Sequence, residues 1–307
     1  MEMDRQRPEP EAEAERPEGS PRPAGAEHLT IRRILVALDA STDSRAALHA
    51  AAALAEVMHS ELLGLFVEDI NMVRLAELPF GREIRFPAAV SLRLEPLEIE
   101  RQLRMRALEL RRELEEITRA RQLQSSFRVV RGRVEMELLA AAHDADLLAL
   151  GRIGHSVAKR GRLGSTALAA ALRAGQPVLL VRPDGDLSRP LVVVDDGTEA
   201  GARGVAIAAS LLRRFSGMRA GELKVLIWAA DDELAYARRQ LLVAALGETE
   251  LNTDFQHFHE FSPERLMELV NRQEGGLLIL PVSAAGLPSE TVRRLLEDAR
   301  QHVLVVH

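Results

Sequence analysis

Cysteine is absent from this chain. Disulfides, thiolate nucleophiles and cysteine-based zinc sites are thereby excluded. Aromatic residues make up only 3% of the sequence. Leu, Val, Ile and Ala must therefore fill the cores, and a stacking platform for single-stranded nucleic acid is missing. A basic stripe is missing too. The formal net charge is -6, which argues against nucleic acid as a partner. No apolar run approaches the roughly 18 residues of a membrane span. The acidic, Pro-rich N-terminus holds no apolar stretch that could act as a signal peptide. Membrane insertion is not expected, and the cytoplasm is the expected location. Neither a Walker-type G-x4-G-K-[ST] loop nor a G-x-S-x-G nucleophile elbow occurs.

What is present is an alternating pattern. The 307 residues are 47% hydrophobic, enough for two domains of ordinary size. Residues 1–30 are rich in Pro, Glu and Arg and should form a disordered tail. From Ile31 onward, short apolar runs alternate with helical periodicity. Ile34 to Asp39, Leu62 to Val67, Phe127 to Val130, Leu147 to Leu150 and Val178 to Val181 read as strands. Helices are expected from Ser41 to Met58, across Ile99 to Ile117, from Glu135 to His143 and from Ser165 to Ala174. Residues 70–98 read as irregular, with Pro79, Gly81, Pro87 and Pro96 as breakers. That insert is expected to be a surface loop, a lid or a partner-binding arm.

After a linker around Pro183 to Asp186 the order repeats. Strands are expected at Leu191 to Val194, Lys224 to Trp228, Asp254 to Phe258, Leu277 to Leu280 and Val303 to Val306. Helices are expected over 198–214, over 232–245, from Ser262-Pro263 onward and from Ser289 to Ala299. The alternation implies parallel crossover units with helices on both faces of a sheet. Asp39-Ala40-Ser41-Thr42 is aligned with Asp195-Asp196-Gly197-Thr198, and an internal duplication is the simplest reading. The chain is thus an α/β protein with two tandem Rossmann-like domains, over 31–183 and 190–307.

One constellation points to chemistry. Gly151-Arg152-Ile153-Gly154 is followed by nine residues and then Gly164-Ser165-Thr166. The first glycine ends a buried strand and the last opens a helix. Ligands of open parallel sheets bind beyond the carboxyl ends of the strands. Glycines let backbone approach phosphate oxygens, and amides at a helix start attract an anion. Lys159, Arg160 and Arg162 add positive charge within the loop. Charge-assisted bonds of this type contribute roughly 1.5–3 kcal/mol each. The bland alternative is a glycine loop that only turns the chain.

The spacing G-x2-G-x9-G-S resembles the ATP-binding signature of the universal stress protein family. The Ile-Leu-Val-Ala-Leu-Asp opening and Leu-Leu-Gly-Leu-Phe-Val-Glu-Asp second strand fit the same family. The resemblance covers about residues 31–182, with 190–307 as a degenerate copy. It implies two five-stranded parallel sheets in strand order 3-2-1-4-5. It implies ATP as ligand, with Mg2+ where the nucleotide carries it. It places Asp39, preceded by Ala37 and Leu38, at the adenosine and Val67 against the adenine. Gly151, Arg152, Gly154, Gly164, Ser165 and Thr166 would then hold ribose and phosphates. From the residues alone, Asp39 could equally cap the following helix, and Val67 could be plain core.

Nothing marks Asp39 as a base aimed at a γ-phosphate, so hydrolysis should be weak at most and no enzyme is expected. A nucleotide-sensing regulatory protein is the leading reading. A nucleotide-independent scaffold with a vestigial site, or a slow ATPase, is the alternative. His257 and His259 face one way on a strand, but neither a Cys nor a third His completes a shell, so no metal site is expected. In the second copy Pro281, Ala284 and Pro288 stand at Gly151, Gly154 and Gly164, and Asp195 stands at Asp39. Proline has no N–H to offer a phosphate, so one nucleotide per chain is expected. The family resemblance and the apolar edges Val178–Val181 and Val303–Val306 together suggest that the halves pair through their fifth strands as an internal pseudo-dimer. The same edges allow further homodimerisation. The sequence names no protein partner.

Overall fold

Strands of four to nine residues, the inner ones runs of Leu, Val and Ile, assemble into a sheet of 10 strands, with one further pair of strands apart from it. The computed structural model describes residues 31–78, 82–85, 90–93, 95–154, 163–183, 185, 187, 191–214, 223–246, 253–259, 263–272 and 276–307. The expected N-terminal tail lies outside these residues.

In the first half the elements are β1 (Arg33–Leu38), α1 (Thr42–Met58), β2 (Glu61–Asp69), α2 (Ile70–Glu77), β3 (Arg82–Arg85), β4 (Val90–Arg93), α3 (Pro96–Ala120), β5 (Ser125–Gly132), α4 (Val134–Ala142), β6 (Leu147–Gly151), α5 (Ser165–Arg173) and β7 (Val178–Val181). In the second half they are β8 (Leu191–Asp195), α6 (Glu199–Arg214), β9 (Leu223–Trp228), α7 (Asp232–Leu246), β10 (Thr253–Phe258), α8 (Pro263–Asn271), β11 (Leu277–Pro281), α9 (Ser289–Asp298) and β12 (His302–Val306). The sheet runs β10-β9-β8-β11-β12-β7-β6-β1-β2-β5. Each half is therefore an all-parallel sheet in the order 3-2-1-4-5. The halves join where β7 and β12 pair antiparallel, Leu179 opposite Leu304. Both strands are fully buried, so each apolar edge is covered by the other.

The inner strands are apolar on both faces because helices cover both, whereas the edge strand β5 is largely exposed. One layer of core contains Ile34, Val36, Leu48, Leu62 and Leu110. The opposite layer contains Leu35, Leu148, Leu180, Leu278 and Val303. The alternation of neighbours such as Ile34 and Leu35 between layers is the period-two geometry of a strand. No helix among the described residues is long and apolar enough to cross a membrane.

The insert departs from the sequence reading. Residues 70–98 are not irregular throughout. Asp69 caps α2 by accepting from the Asn71 amide at 2.9 Å. β3 and β4 form an antiparallel pair. Pro96 is not a breaker but the first residue of α3, a position where its missing N–H costs nothing. Pro79, Phe80, Phe86 and Pro87 lie outside the described residues.

The register also corrects the internal alignment. Ile34 pairs with Leu147 and Leu191 with Leu277, so β8 overlays β1 from Ile34 onward. Asp195 therefore stands at Leu38, and Asp196, rather than Asp195, stands at Asp39. Hydrogen bonding agrees. Asp39 Oδ1 accepts from the Ser41 amide at 2.9 Å and Asp196 Oδ1 from the Thr198 amide at 3.1 Å. Between these residues Ala40 has φ 64° and Gly197 φ 76°, so an alanine holds the left-handed conformation that glycine takes in the other copy. Two adjacent aspartates in the sequence concealed the one-residue shift.

Candidate functional site

Parallel strands release their chain ends on one side, and β1 and β6 send their connections to opposite faces. The gap left there is a cavity of about 360 Å³. It is lined by Ala37, Leu38 and Asp39 from the end of β1, Val67 and Asp69 from β2, and Gly151, Gly154, Gly164, Ser165 and Thr166 from the loop and α5. Nine of the ten site residues expected from sequence thus come together.

Each wall has a local cause. Ser41 caps α1, its Oγ accepting from the Ser44 amide at 3.1 Å. One oxygen of Asp39 serves the turn before it, as the capping alternative required. The other, Oδ2, looks across to Gly154, where an added Cβ would lie 3.4 Å away. Asp39 is thus both turn residue and cavity wall. α5 begins after Gly164, a cap residue with no side chain to bond the first-turn amides. The start of α5 therefore faces the cavity with the positive end of its dipole. The Gly164 amide itself is used, donating to the Arg152 carbonyl at 2.8 Å. That bond closes the loop at its base.

The glycines do different work. At Gly151 a Cβ would fall 2.6 Å from Asp43 backbone and Cβ, so this glycine lets the first turn of α1 abut the end of β6. Its role is packing at the cavity rim, a reason distinct from phosphate approach. At Gly164 a Cβ would meet no atom of the described residues closer than 3.4 Å, the Arg152 carbonyl oxygen.

Arg152 is the expected site residue that leaves the cavity. Its guanidinium is buried and crosses into the second half, to the C-terminal end of α9. It donates to the carbonyls of Ala299 at 2.6 Å and Glu297 at 2.7 Å, and to that of Leu296. Arg182 joins it on Ala299 O at 3.1 Å. A cation at the negative end of a helix dipole is favourable. Burial, followed by the charge of Arg182, lowers the Arg152 pKa to about 10, so it stays protonated at neutral pH. The side chain clamps the two halves together, while its carbonyl holds the loop.

Asp43 was not singled out from sequence. It is buried, and its Oδ2 accepts from the Ile153 amide at 3.0 Å, tying α1 to the loop. Burial raises its pKa, against the lowering effect of that amide. An acid in the first turn of a helix reads as a dipole partner, so the sequence carried no separate signal. Arg106 from α3, Met72 from α2 and Val134 and Leu138 from α4 complete the walls. Tertiary packing alone brings them there. His155, Lys159, Arg160 and Arg162 lie outside the described residues.

The corresponding place in the second half is built from different groups. Leu223 overlays Leu62 in register, so Trp228 stands at Val67. Arg238 from α7 donates to the Trp228 carbonyl and rests on Gly197, leaving no room for a Cβ there. Asp196 Oδ2 accepts from the Leu287 amide at 3.2 Å. Pro288 takes the cap position of α9 that Gly164 holds before α5. Asp195 is buried beneath, its pKa raised by desolvation against the pull of Arg238.

A doubly wound parallel sheet with a cavity at its switch point and a glycine loop running into a helix start is the frame of a small-ligand-binding α/β domain. Residues 30–182 match the sequence model of the universal stress protein family. The first half of this chain is therefore a universal stress protein domain. No curated protein matches the chain. Among solved structures, a universal stress protein from Archaeoglobus fulgidus is similar with TM-score 0.66 and 14% identity, over 91% of this chain and 98% of that one. A putative universal stress protein from Pseudomonas aeruginosa is similar with TM-score 0.55 and 16% identity, over 91% and 94%. The cytoplasmic domain of a prokaryotic cation chloride cotransporter is similar with TM-score 0.50 and 14% identity, over 90% and 95%. At these identities the likeness is one of fold.

Proposed function

We propose that the first half binds ATP, and that the bound nucleotide acts as a signal rather than as the substrate of rapid chemistry. The observation that carries this is the convergence of Asp39, Val67 and the Gly151–Gly154 and Gly164–Thr166 segments on one cavity. Val67, Ala37 and Leu138 offer an apolar slot of the kind a base fills. Asp39 offers a carboxylate, which suits ribose hydroxyls. The uncapped start of α5 and the Ser165 and Thr166 hydroxyls offer donors to phosphates. Arg106 supplies a cation on the cavity wall. Mg2+ would arrive with the nucleotide.

The weak-hydrolysis part rests on Asp39. One of its oxygens is committed to the Ser41 amide, and phosphoryl transfer depends on a residue placed to orient the attacking water. We read the second half as a scaffold, because Trp228 stands at the position of Val67, Pro288 at that of Gly164, and Asp196 Oδ2 is bonded to the Leu287 amide. Purifying the full chain, denaturing it and identifying what is released tests the proposal. Adenine nucleotide released from the protein supports it. No released nucleotide together with no saturation on added ATP would contradict it and favour an interaction module.

A further inference from the structure

Asp232, His257 and His259 lie outside the nucleotide cavity and have no part in the function above. His257 and His259 project from the end of β10 on the same side, their ring centroids 5.1 Å apart. β9 and β10 are parallel, so the connection leaving β9 delivers Asp232, the first residue of α7, to the place where β10 ends. Asp232 Oδ1 is met by His257 Nε2 at 2.9 Å and by His259 Nε2 at 3.0 Å. The ligand atoms of all three residues lie within 4.8 Å of one another.

The hydrogen-bond inventory of His259 points to a cation. Its Nδ1 lies 3.3 Å from the Ala229 carbonyl oxygen and its Nε2 3.0 Å from the Asp232 carboxylate. Both neighbours only accept. A neutral imidazole has a single N–H, so it cannot satisfy both. With the proton on Nδ1, bonded to Ala229 O, the Nε2 lone pair faces a carboxylate oxygen. Either a second proton on the ring or a cation between Nε2 and Oδ1 removes that conflict. A backbone carbonyl on one ring nitrogen is also the arrangement that fixes a metal-binding histidine in its tautomer.

We propose that Asp232, His257 and His259 form a binding site for a divalent transition-metal ion of the zinc type. Two imidazoles and one carboxylate suit such an ion and leave coordination positions open to water or a substrate. Tetrahedral coordination with bonds of about 2.0–2.1 Å sets ligand atoms roughly 3.3 Å apart. The two spacings from Asp232 Oδ1 to the histidines, 2.9 and 3.0 Å, need to open by only a few tenths of an ångström. The side chains are 83%, 51% and 39% exposed for Asp232, His257 and His259, so rotation about their own bonds suffices. The site sits at the carboxyl edge of the second half's sheet.

The test is calorimetric titration of the nucleotide-free full chain with zinc chloride, alongside Asp232→Asn and His259→Ala. The chain has nine histidines, so subtraction by variants assigns the site. One saturable equivalent of micromolar or tighter affinity is expected, weakened about tenfold or more in each variant. Cobalt(II) added instead should give visible bands of an imidazole-ligated ion that both variants lose. Unchanged metal-free melting curves would show that the variants fold. No saturable binding in the parent chain, or binding of equal strength in both variants, would overturn the proposal.

Discussion

Replacing Arg152 by Ala separates a clamp from a ligand. In the structure its guanidinium serves the carbonyls of Leu296, Glu297 and Ala299 at the end of α9. After the change Arg182 still reaches Ala299 O at 3.1 Å, so that acceptor keeps a partner. Leu296 and Glu297 lose theirs. A buried acceptor left unmade costs roughly 1–3 kcal/mol, giving about 2–6 kcal/mol for the two. Two effects reduce this. Glu297 O is only partly buried, and deleting a desolvated guanidinium returns part of its own burial penalty. The expected loss is about 2–4 kcal/mol, or on the order of 10 °C in Tm. Urea unfolding of the parent and variant, each with and without ATP, measures it. A variant within about 0.5 kcal/mol of the parent would refute the clamp. Loss of ATP binding at unchanged stability would return Arg152 to the list of ligands.

Val67→Trp should abolish ATP binding in titration with little loss of stability, since a tryptophan stands at the matching position of the second half; wild-type affinity would show that Val67 is only core. A third expectation concerns Asp195, whose folded pKa is raised by burial. As pH climbs past the ordinary value of 3.8 the unfolded chain loses this proton first, so the folded state holds more protons and stability falls until the folded pKa is passed. Asp195→Asn removes that fall. Its Tm relative to the parent should rise from acid to neutral pH, and a difference independent of pH would contradict the assignment.

Much of the fold was legible because its signals are local. Apolar runs, Ser41 and Pro263 at helix starts, and the alternation of strand and helix all act within a few residues. Gly151, Gly154, Gly164, Ser165 and Thr166 stood out because small residues at fixed spacing before a helix start are a pattern that sequence alone displays, although at Gly151 the structure supplies a packing reason, the close approach of Asp43. What escaped was set by distance in the chain. Arg152 reads as a loop cation until α9, more than 140 residues away, is placed beside it. Asp43 hid behind the ordinary preference for acids at helix starts. The one-residue slip between Asp195 and Asp196 needed the strand register, because either aspartate satisfies the pattern. Asp232 joins the two histidines only through the parallel pairing of β9 and β10.

The central claim is that one half of this duplicated sheet holds a nucleotide and the other half, with Trp228 and Pro288 at the positions of Val67 and Gly164, does not. Calorimetric titration of the nucleotide-free full chain with ATP tests it most directly. One equivalent per chain is predicted, and Val67→Trp should bring it to zero. Two equivalents per chain, or no saturable binding at all, would contradict the account.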